Sequence, residues 1–188
     1  MMNAVLLFAA VTATPTTAVA KPEADTKAVV FGDWALVCQK RDTLPPCEIA
    51  QTVLKPDSDD RKMQVSMAYA GRDDRYAIQI RLPLGLLVQP EALLRLGKDN
   101  DLPGYRITRC ERDGCYIDRL LNRKDIEPLL GADTALLAVA QTNGKPLAFS
   151  ISMKGAAVAM QAMVERNSAW AKTAGTDKTL LQDAHKGK

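Results

Sequence analysis

The residues of this chain that could carry out the most varied chemistry are its four cysteines: Cys38, Cys47, Cys110 and Cys115. Four cysteines can form two disulfides in three alternative pairings, hold a zinc ion, or carry out thiol redox chemistry. Zinc ligands usually come in pairs two to four residues apart, whereas eight residues separate the first two cysteines. A redox pair is usually Cys-x-x-Cys at a helix N-terminus, and neither pair has that context. The spacing therefore predicts structural disulfides and no metal.

Of the three pairings, we favour Cys38–Cys47 and Cys110–Cys115. The first pair encloses the stiff dipeptide Pro45-Pro46, and the second encloses the compact polar turn Glu111–Gly114. Each pair thus flanks a plausible hairpin, although the sequence alone leaves all three pairings open.

Other residues give little support for catalysis. The single histidine, His185, lies three residues from the chain end, where a general base could not be held rigidly against its target. The carboxylate pairs Asp59-Asp60 and Asp73-Asp74 fall in predicted turns, where acidic residues are ordinary solvated side chains. We therefore predict no catalytic residue and no cofactor.

The densest positive segment is a possible anion contact. It consists of Arg106, Arg109, Arg112, Arg119, Arg123 and Lys124. Such a cluster is either a solvated face or a surface that meets anionic groups such as lipopolysaccharide phosphates. The net charge is only +3 and aromatic residues make up 5% of the chain, which argues against nucleic-acid binding.

The N-terminus predicts export. Residues 3–19 carry no charge, and the small-x-small pattern Ala18-Val19-Ala20 suits a signal peptidase, although no Lys or Arg lies near Met1. The apolar run is too short for a transmembrane anchor. We predict a signal peptide over residues 1–20, cleavage near Ala20, and a periplasmic, outer-membrane-associated or secreted protein, which agrees with disulfide formation.

The remaining chain is divided into a flexible arm (21–29), one domain (30–170) and a flexible tail (171–188). Apolar residues alternate with other side chains over 63–69, 76–82 and 147–153, which predicts half-buried strands. Asn143-Gly144 and Asp73-Asp74 predict hairpins, both residues of the former accommodating positive φ, and 55–60 predicts a solvated loop.

Four further features complete the predicted fold. Asn122 is expected to cap a short helix that ends at Leu130, with Gly131 as its left-handed stop. A second helix is predicted over 156–164. Trp34 is assigned to the core. In Pro83-Leu84-Gly85 we expect a strand break with Leu84 buried, followed by a new strand near Leu86. The pattern is mainly β: a sandwich with one short helix and a C-terminal helix.

Five ordered motifs resemble the invasion-associated locus B family of exported α-proteobacterial proteins. They are Phe31-Gly32-Asp33-Trp34 with Cys38, Cys47-Glu48-Ile49, Leu82-Pro83-Leu84-Gly85-Leu86, Cys110 with Gly114-Cys115, and Ile151-Ser152-Met153-Lys154-Gly155 before an Ala-rich helix. The resemblance implies an immunoglobulin-like β-sandwich in the periplasm or at the outer membrane, linked in pathogenic members to host-cell entry. It supplies no catalytic residues.

These observations favour a non-enzymatic interaction module that binds a protein or envelope component, including a host surface, and has no nucleic-acid partner. Two alternatives stay open: an envelope-stability or chaperone-like factor, and an enzyme of unknown type whose carboxylates or backbone groups the sequence hides.

Overall fold

The computed structural model describes residues 28–41, 44–55 and 58–174. Within them the chain forms two antiparallel sheets and two helices. The predicted signal peptide, most of the predicted arm, and His185 lie outside the described residues.

The larger sheet has seven strands in the order β1-β2-β3-β4-β5-β9-β8. Their bounds are β1 Val29–Phe31, β2 Trp34–Cys38, β3 Cys47–Lys55, β4 Ser58–Tyr69, β5 Tyr76–Leu82, β8 Arg109–Glu111 and β9 Gly114–Leu121. From β1 to β5 the strands are sequential neighbours, so this part of the sheet is a simple meander.

The smaller sheet has four strands in the order β11-β10-β6-β7. Their bounds are β6 Leu93–Leu96, β7 Asn100–Leu102, β10 Thr134–Ala140 and β11 Pro146–Ser152. Helix α1 spans Arg123–Leu130 and helix α2 spans Ala156–Ala174. The predicted mainly β sandwich with a short helix and a C-terminal helix is confirmed.

The core lies on one face of each sheet, as the alternation predicts. Met63, Val65 and Met67 of β4 are buried, as are all four apolar positions of β5 and the three of β11. Trp34 is fully buried, and its indole Nε1–H donates to the carbonyl of Ser152, 2.9 Å away. The core assignment of Trp34 is therefore confirmed, and its hydrogen bond joins the two sheets.

The buried Gln51 makes a second connection between the sheets at the same place. Its Nε2 donates to the carbonyls of Asp33 and Ser152, and its Oε1 accepts from the Ser152 amide. Because a buried amide needs partners for both its oxygen and its nitrogen, this arrangement fixes the position of the β11 end over β3.

Element ends differ from the sequence-based expectation in several places. Strand β4 begins at Ser58, inside the segment predicted as a loop, because backbone pairing with β3 continues to Lys55↔Ser58 whatever the polarity of the side chains. Strand β1 begins at Val29, one residue inside the predicted arm. Helix α2 continues to Ala174, so the first four residues of the predicted tail are helical. The rest of that tail lies outside the described residues.

The hairpin and cap predictions are confirmed in outline but not in every dihedral angle. Asn122 caps α1 with a complete capping box, yet Gly131 has φ −87° and is not left-handed, because its amide bonds back to the Glu127 carbonyl in a right-handed turn. In the β10–β11 hairpin only Gly144, not Asn143, has positive φ. In the β4–β5 hairpin Asp73 and Asp74 both have positive φ.

Candidate functional site

Both favoured disulfides are present, and each joins two cross-strand partners of the large sheet. Cys38–Cys47 links β2 to β3, and Cys110–Cys115 links β8 to β9. The first lies at the end of the sheet beside Tyr69, and the second lies at the opposite end, where Cys115 pairs with Leu82 of β5. The two bonds, with no free cysteine among the described residues, are consistent with an exported protein.

We expect the paired substitution Cys38→Ala/Cys47→Ala to lower the free energy of unfolding by about 2.7 kcal/mol, and Cys110→Ala/Cys115→Ala to lower it by about 2.2 kcal/mol. Each disulfide closes a loop in the unfolded chain, and without it the unfolded chain gains conformational entropy. Urea unfolding of the oxidised variants measures both values. Ser168→Ala, without a role in either bond, is the control. Unchanged midpoints in both pairs would contradict the assigned contribution.

The predicted basic cluster does not form one patch. Arg109 faces Tyr116 across the β8–β9 pair, whereas Arg119 lies on the other face of β9, beside Tyr105. Arg112 lies in the β8–β9 turn, and Lys124 lies in α1 beyond the other end of β9. Alternation along a strand sends neighbouring sequence positions to opposite faces, which explains the division.

Three of these six cations are already compensated by carboxylates. Arg106 contacts Glu91, Arg123 contacts Asp74, and Arg109 contacts both Glu111 and Asp118. Within the described part of the chain, three of the six have no ion-pair partner: Arg112, Arg119 and Lys124. Arg119 instead stacks on the Tyr105 ring and donates to the Pro103 carbonyl. The contact of this segment with an anionic surface therefore stays a prediction, and the exposed side chains of Arg112 and Lys124 are its most available members.

Three carboxylates, Glu91, Asp113 and Asp118, are held in their charged form by hydrogen bonds. The hydrogen bond from Arg106 lowers the pKa of Glu91, and the hydrogen bond from the Tyr116 hydroxyl lowers that of Asp113. For Asp118 the largest influence, partial burial, acts in the opposite direction. Hydrogen bonds from Gln79, Thr108 and Arg109 outweigh it, so its pKa is also lowered. These groups behave as fixed ion-pair partners rather than as acids poised near neutral pH.

A shallow groove of about 240 Å³ lies between α1 and α2. Its charged lining residues are Arg123 and Glu127, and Tyr76 and Met160 are among the others. The Arg123 guanidinium is bound to Asp74, whose carboxylate also accepts from the Tyr76 hydroxyl.

The described residues contain no group of three or more His, Cys, Asp or Glu side chains able to hold a metal ion. In that same part of the chain, neither helix is long and apolar enough to cross a membrane.

A second surface is an exposed apolar loop at the Cys110–Cys115 end of the sandwich. We call Pro83–Val88, which follows β5, the leucine loop. Leu84, Leu87 and Val88 are 54%, 43% and 48% exposed. They are three of the ten exposed large apolar side chains in the described residues, yet they lie within five consecutive positions. Single exposed apolar residues are common on protein surfaces, whereas clusters of them mark interaction sites.

The leucine loop is held in place by the β10–β11 hairpin. The Leu87 amide donates to the Ala140 carbonyl over 2.9 Å, and the Thr142 amide and hydroxyl both donate to the Gly85 carbonyl. Leu86 is buried beneath the loop and forms an isolated bridge with Gln141. The three apolar side chains therefore lie on a backbone that is already ordered. Binding a partner then loses little conformational entropy in this loop.

The prediction that Leu84 is buried and that a strand begins near Leu86 is wrong. Strand β6 begins only at Leu93, and Gly85, with φ +86°, reverses the chain so that Leu84 points to solvent while Leu86 enters the core. The apolar composition of the motif concealed the surface position of Leu84. The glycine at its centre was the one signal of a reversal.

Comparison with known proteins gives two results. The family model described as Invasion associated locus B (IalB) protein matches residues 34–164. The crystal structure of invasion associated protein b from Bartonella henselae is similar to the chain, with a TM-score of 0.63, 16% sequence identity, and coverage of 74% of this chain and 96% of that one. At this identity the likeness shows the fold alone. No curated protein matches the sequence significantly.

Proposed function

Because this chain belongs to the invasion associated locus B family, we propose that it is an exported, non-enzymatic β-sandwich protein that binds a protein or envelope component through its leucine loop. The binding event contributes to interaction with a host-cell surface. After signal cleavage near Ala20, the protein resides in the periplasm or at the outer membrane.

The observation that carries this proposal is the exposure of Leu84, Leu87 and Val88 on a loop fixed by hydrogen bonds. Covering the exposed half of such a side chain is worth about 1 kcal/mol, so a partner that covers all three gains about 3 kcal/mol from them. The Cys110–Cys115 hairpin supports this end of the sheet, since Cys115 is the cross-strand partner of Leu82 at the base of the loop.

We expect the triple variant Leu84→Ser/Leu87→Ser/Val88→Ser to bind about 100-fold more weakly than the native protein, because the loop keeps its backbone but loses the apolar contact area. Binding is measured by co-sedimentation of the labelled, oxidised protein with outer-membrane fragments and, separately, with host-cell membranes. The membrane type that retains the native protein and loses the triple variant identifies the source of the partner.

The control is Leu120→Ser/Val158→Ser, which removes two apolar side chains that are even more exposed, elsewhere on the surface. It should bind like the native protein, and all variants should keep the native thermal midpoint. If the triple variant and the control bind equally well, or if the native protein sediments with neither membrane, the leucine loop is not the binding surface.

A further inference from the structure

Strand β11 is an edge of the smaller sheet, and it differs from the other three edges of the sandwich. Strands β1, β7 and β8 have only three residues each. Of these, β7 carries Asp101 and β8 carries Arg109 and Glu111, and β8 is also closed by its disulfide. Strand β11 has seven residues without a charge, Pro-Leu-Ala-Phe-Ser-Ile-Ser. Proteins usually protect an edge by shortness, charge or proline, and of these this edge has only a proline, Pro146, at its first residue.

The hydrogen-bond pattern identifies which groups of β11 are open. In the β10–β11 pair the Met153 amide donates to Asp133 and the Gln141 amide donates to Lys145, so the odd-numbered residues of β11 bond to β10. The even-numbered residues therefore direct their amides and carbonyls away from β10. The structure agrees at Ser152, whose outward amide and carbonyl are bound by Gln51 and Trp34.

The open part of the edge is short and has defined limits. At one limit Pro146 has no amide hydrogen, and at the other limit Ser152 is already satisfied. Between them, Ala148 and Ser150 each present one N–H and one C=O, and both residues are exposed. In the described chain these four backbone groups have no hydrogen-bond partner.

We propose that this edge pairs with the β11 edge of a second copy of the chain, antiparallel and with the two-fold axis at Phe149. In that register Ala148 of one copy faces Ser150 of the other, and the two symmetric pairs exchange four hydrogen bonds. Pro146 then faces Ser152, so the pairing leaves no free amide hydrogen at either end. In this register the residue without an amide hydrogen, Pro146, faces the residue whose carbonyl is already bound, Ser152, and this match of the two limits is what selects a second copy as the occupant.

The side chains are compatible with this arrangement. Leu147, Phe149 and Ile151 stay in the core of their own copy, whereas Ala148 and Ser150 project on the outer face. Each small side chain meets another small, uncharged one, so neither steric overlap nor charge repulsion opposes the approach. The eight-stranded sheet produced is continuous across the two copies.

The test uses two double variants that differ only at position 148. Ala148→Lys/Ser150→Lys places two lysines opposite each other in the proposed register, whereas Ala148→Glu/Ser150→Lys places a glutamate opposite a lysine twice. We expect sedimentation equilibrium to give a concentration-dependent dimer for the native protein. The two-lysine variant should dissociate at least about tenfold more readily, and the Glu/Lys variant should dimerise at least as well as the native protein.

Both variants change only exposed positions, and equal thermal midpoints of their monomers will show that folding is intact. A native protein that stays monomeric over the whole concentration range would overturn the proposal. This holds even if the β11 edge of that monomer binds a strand of another protein. Equal dissociation constants for the two variants would overturn the register.

Discussion

Replacing Gly155 by alanine is expected to destabilise the fold by about 4 kcal/mol. Gly155 has φ +87°, a conformation that costs an L-residue about 1–2 kcal/mol. A Cβ atom at this position would also overlap the carbonyl oxygen of Phe31. Because that atom belongs to the backbone, it cannot rotate away, and the overlap adds about 1–3 kcal/mol.

The reason is a close crossing of two chain segments that lie far apart in the sequence. Gly155 connects β11 to α2, and it meets the β1–β2 turn, where a Cβ on Gly32 would in turn lie 2.5 Å from the carbonyl oxygen of Lys154. The Asp33 amide donates to that same carbonyl over 3.1 Å. The two glycines therefore allow the backbones to approach closely enough for the sheets to be joined beside Trp34 and Gln51.

Thermal unfolding measures the effect, and Gly85→Ala is the matched control. Gly85 has φ +86°, yet a Cβ added there meets nothing within 4 Å. The control should lose about 1 kcal/mol, and Gly155→Ala should lower the midpoint by about 10 °C, or fail to accumulate as folded protein. Similar midpoints for the two variants would show that the crossing does not need a glycine.

Much of the fold follows from local sequence patterns. Alternation over 63–69, 76–82 and 147–153 gives the buried face of three strands, since a period of two has only one structural consequence in a sheet. The pairing of the cysteines that the sequence favours, without excluding the other two, is the one present, because each pair encloses a turn short enough for adjacent strands. The capping residue Asn122 is equally local, since its bonds reach only three residues along the chain.

The features that sequence reasoning missed depend on contacts between distant segments. Gly85 signals only that the chain can reverse beside Leu84, and not that Leu84 will face solvent, because the loop is fixed by Ala140 and Thr142 on another hairpin. The arginines and Lys124 from position 106 to 124 are close in sequence, yet the strand and turn between them direct their side chains to different surfaces. An open edge at β11 becomes visible only when the order of the strands in the sheet is known.

Asn167 is the clearest example of a residue whose role depends on contacts between distant segments. We expect its replacement by alanine to lower the free energy of unfolding by about 3 kcal/mol. On an Ala- and Met-rich helix an asparagine would be assigned to the solvent side, yet Asn167 is fully buried. Its Oδ1 accepts from the Cys47 amide, and its Nδ2 donates to the carbonyls of Cys47 and Tyr69.

These contacts replace a missing rung of the large sheet. Pairing between β3 and β4 ends at Glu48↔Ala68, so the next backbone groups, on Cys47 and Tyr69, have no partner in the opposite strand. The amide of Asn167 enters that gap from α2. Alanine would leave three backbone groups without partners, two of them on a buried residue, at about 1 kcal/mol or more each.

The same change should weaken the attachment of α2 more than the strands themselves. Hydrogen exchange can separate the two effects: amides of the C-terminal half of α2 should exchange faster, while those of β5 and β10 should change only with global stability. Glu165→Ala, an exposed position on the same helix, is the matched control and should leave both stability and exchange unaltered. If Asn167→Ala behaves like this control, α2 is held by its apolar residues alone, and the amide in the gap contributes nothing to stability.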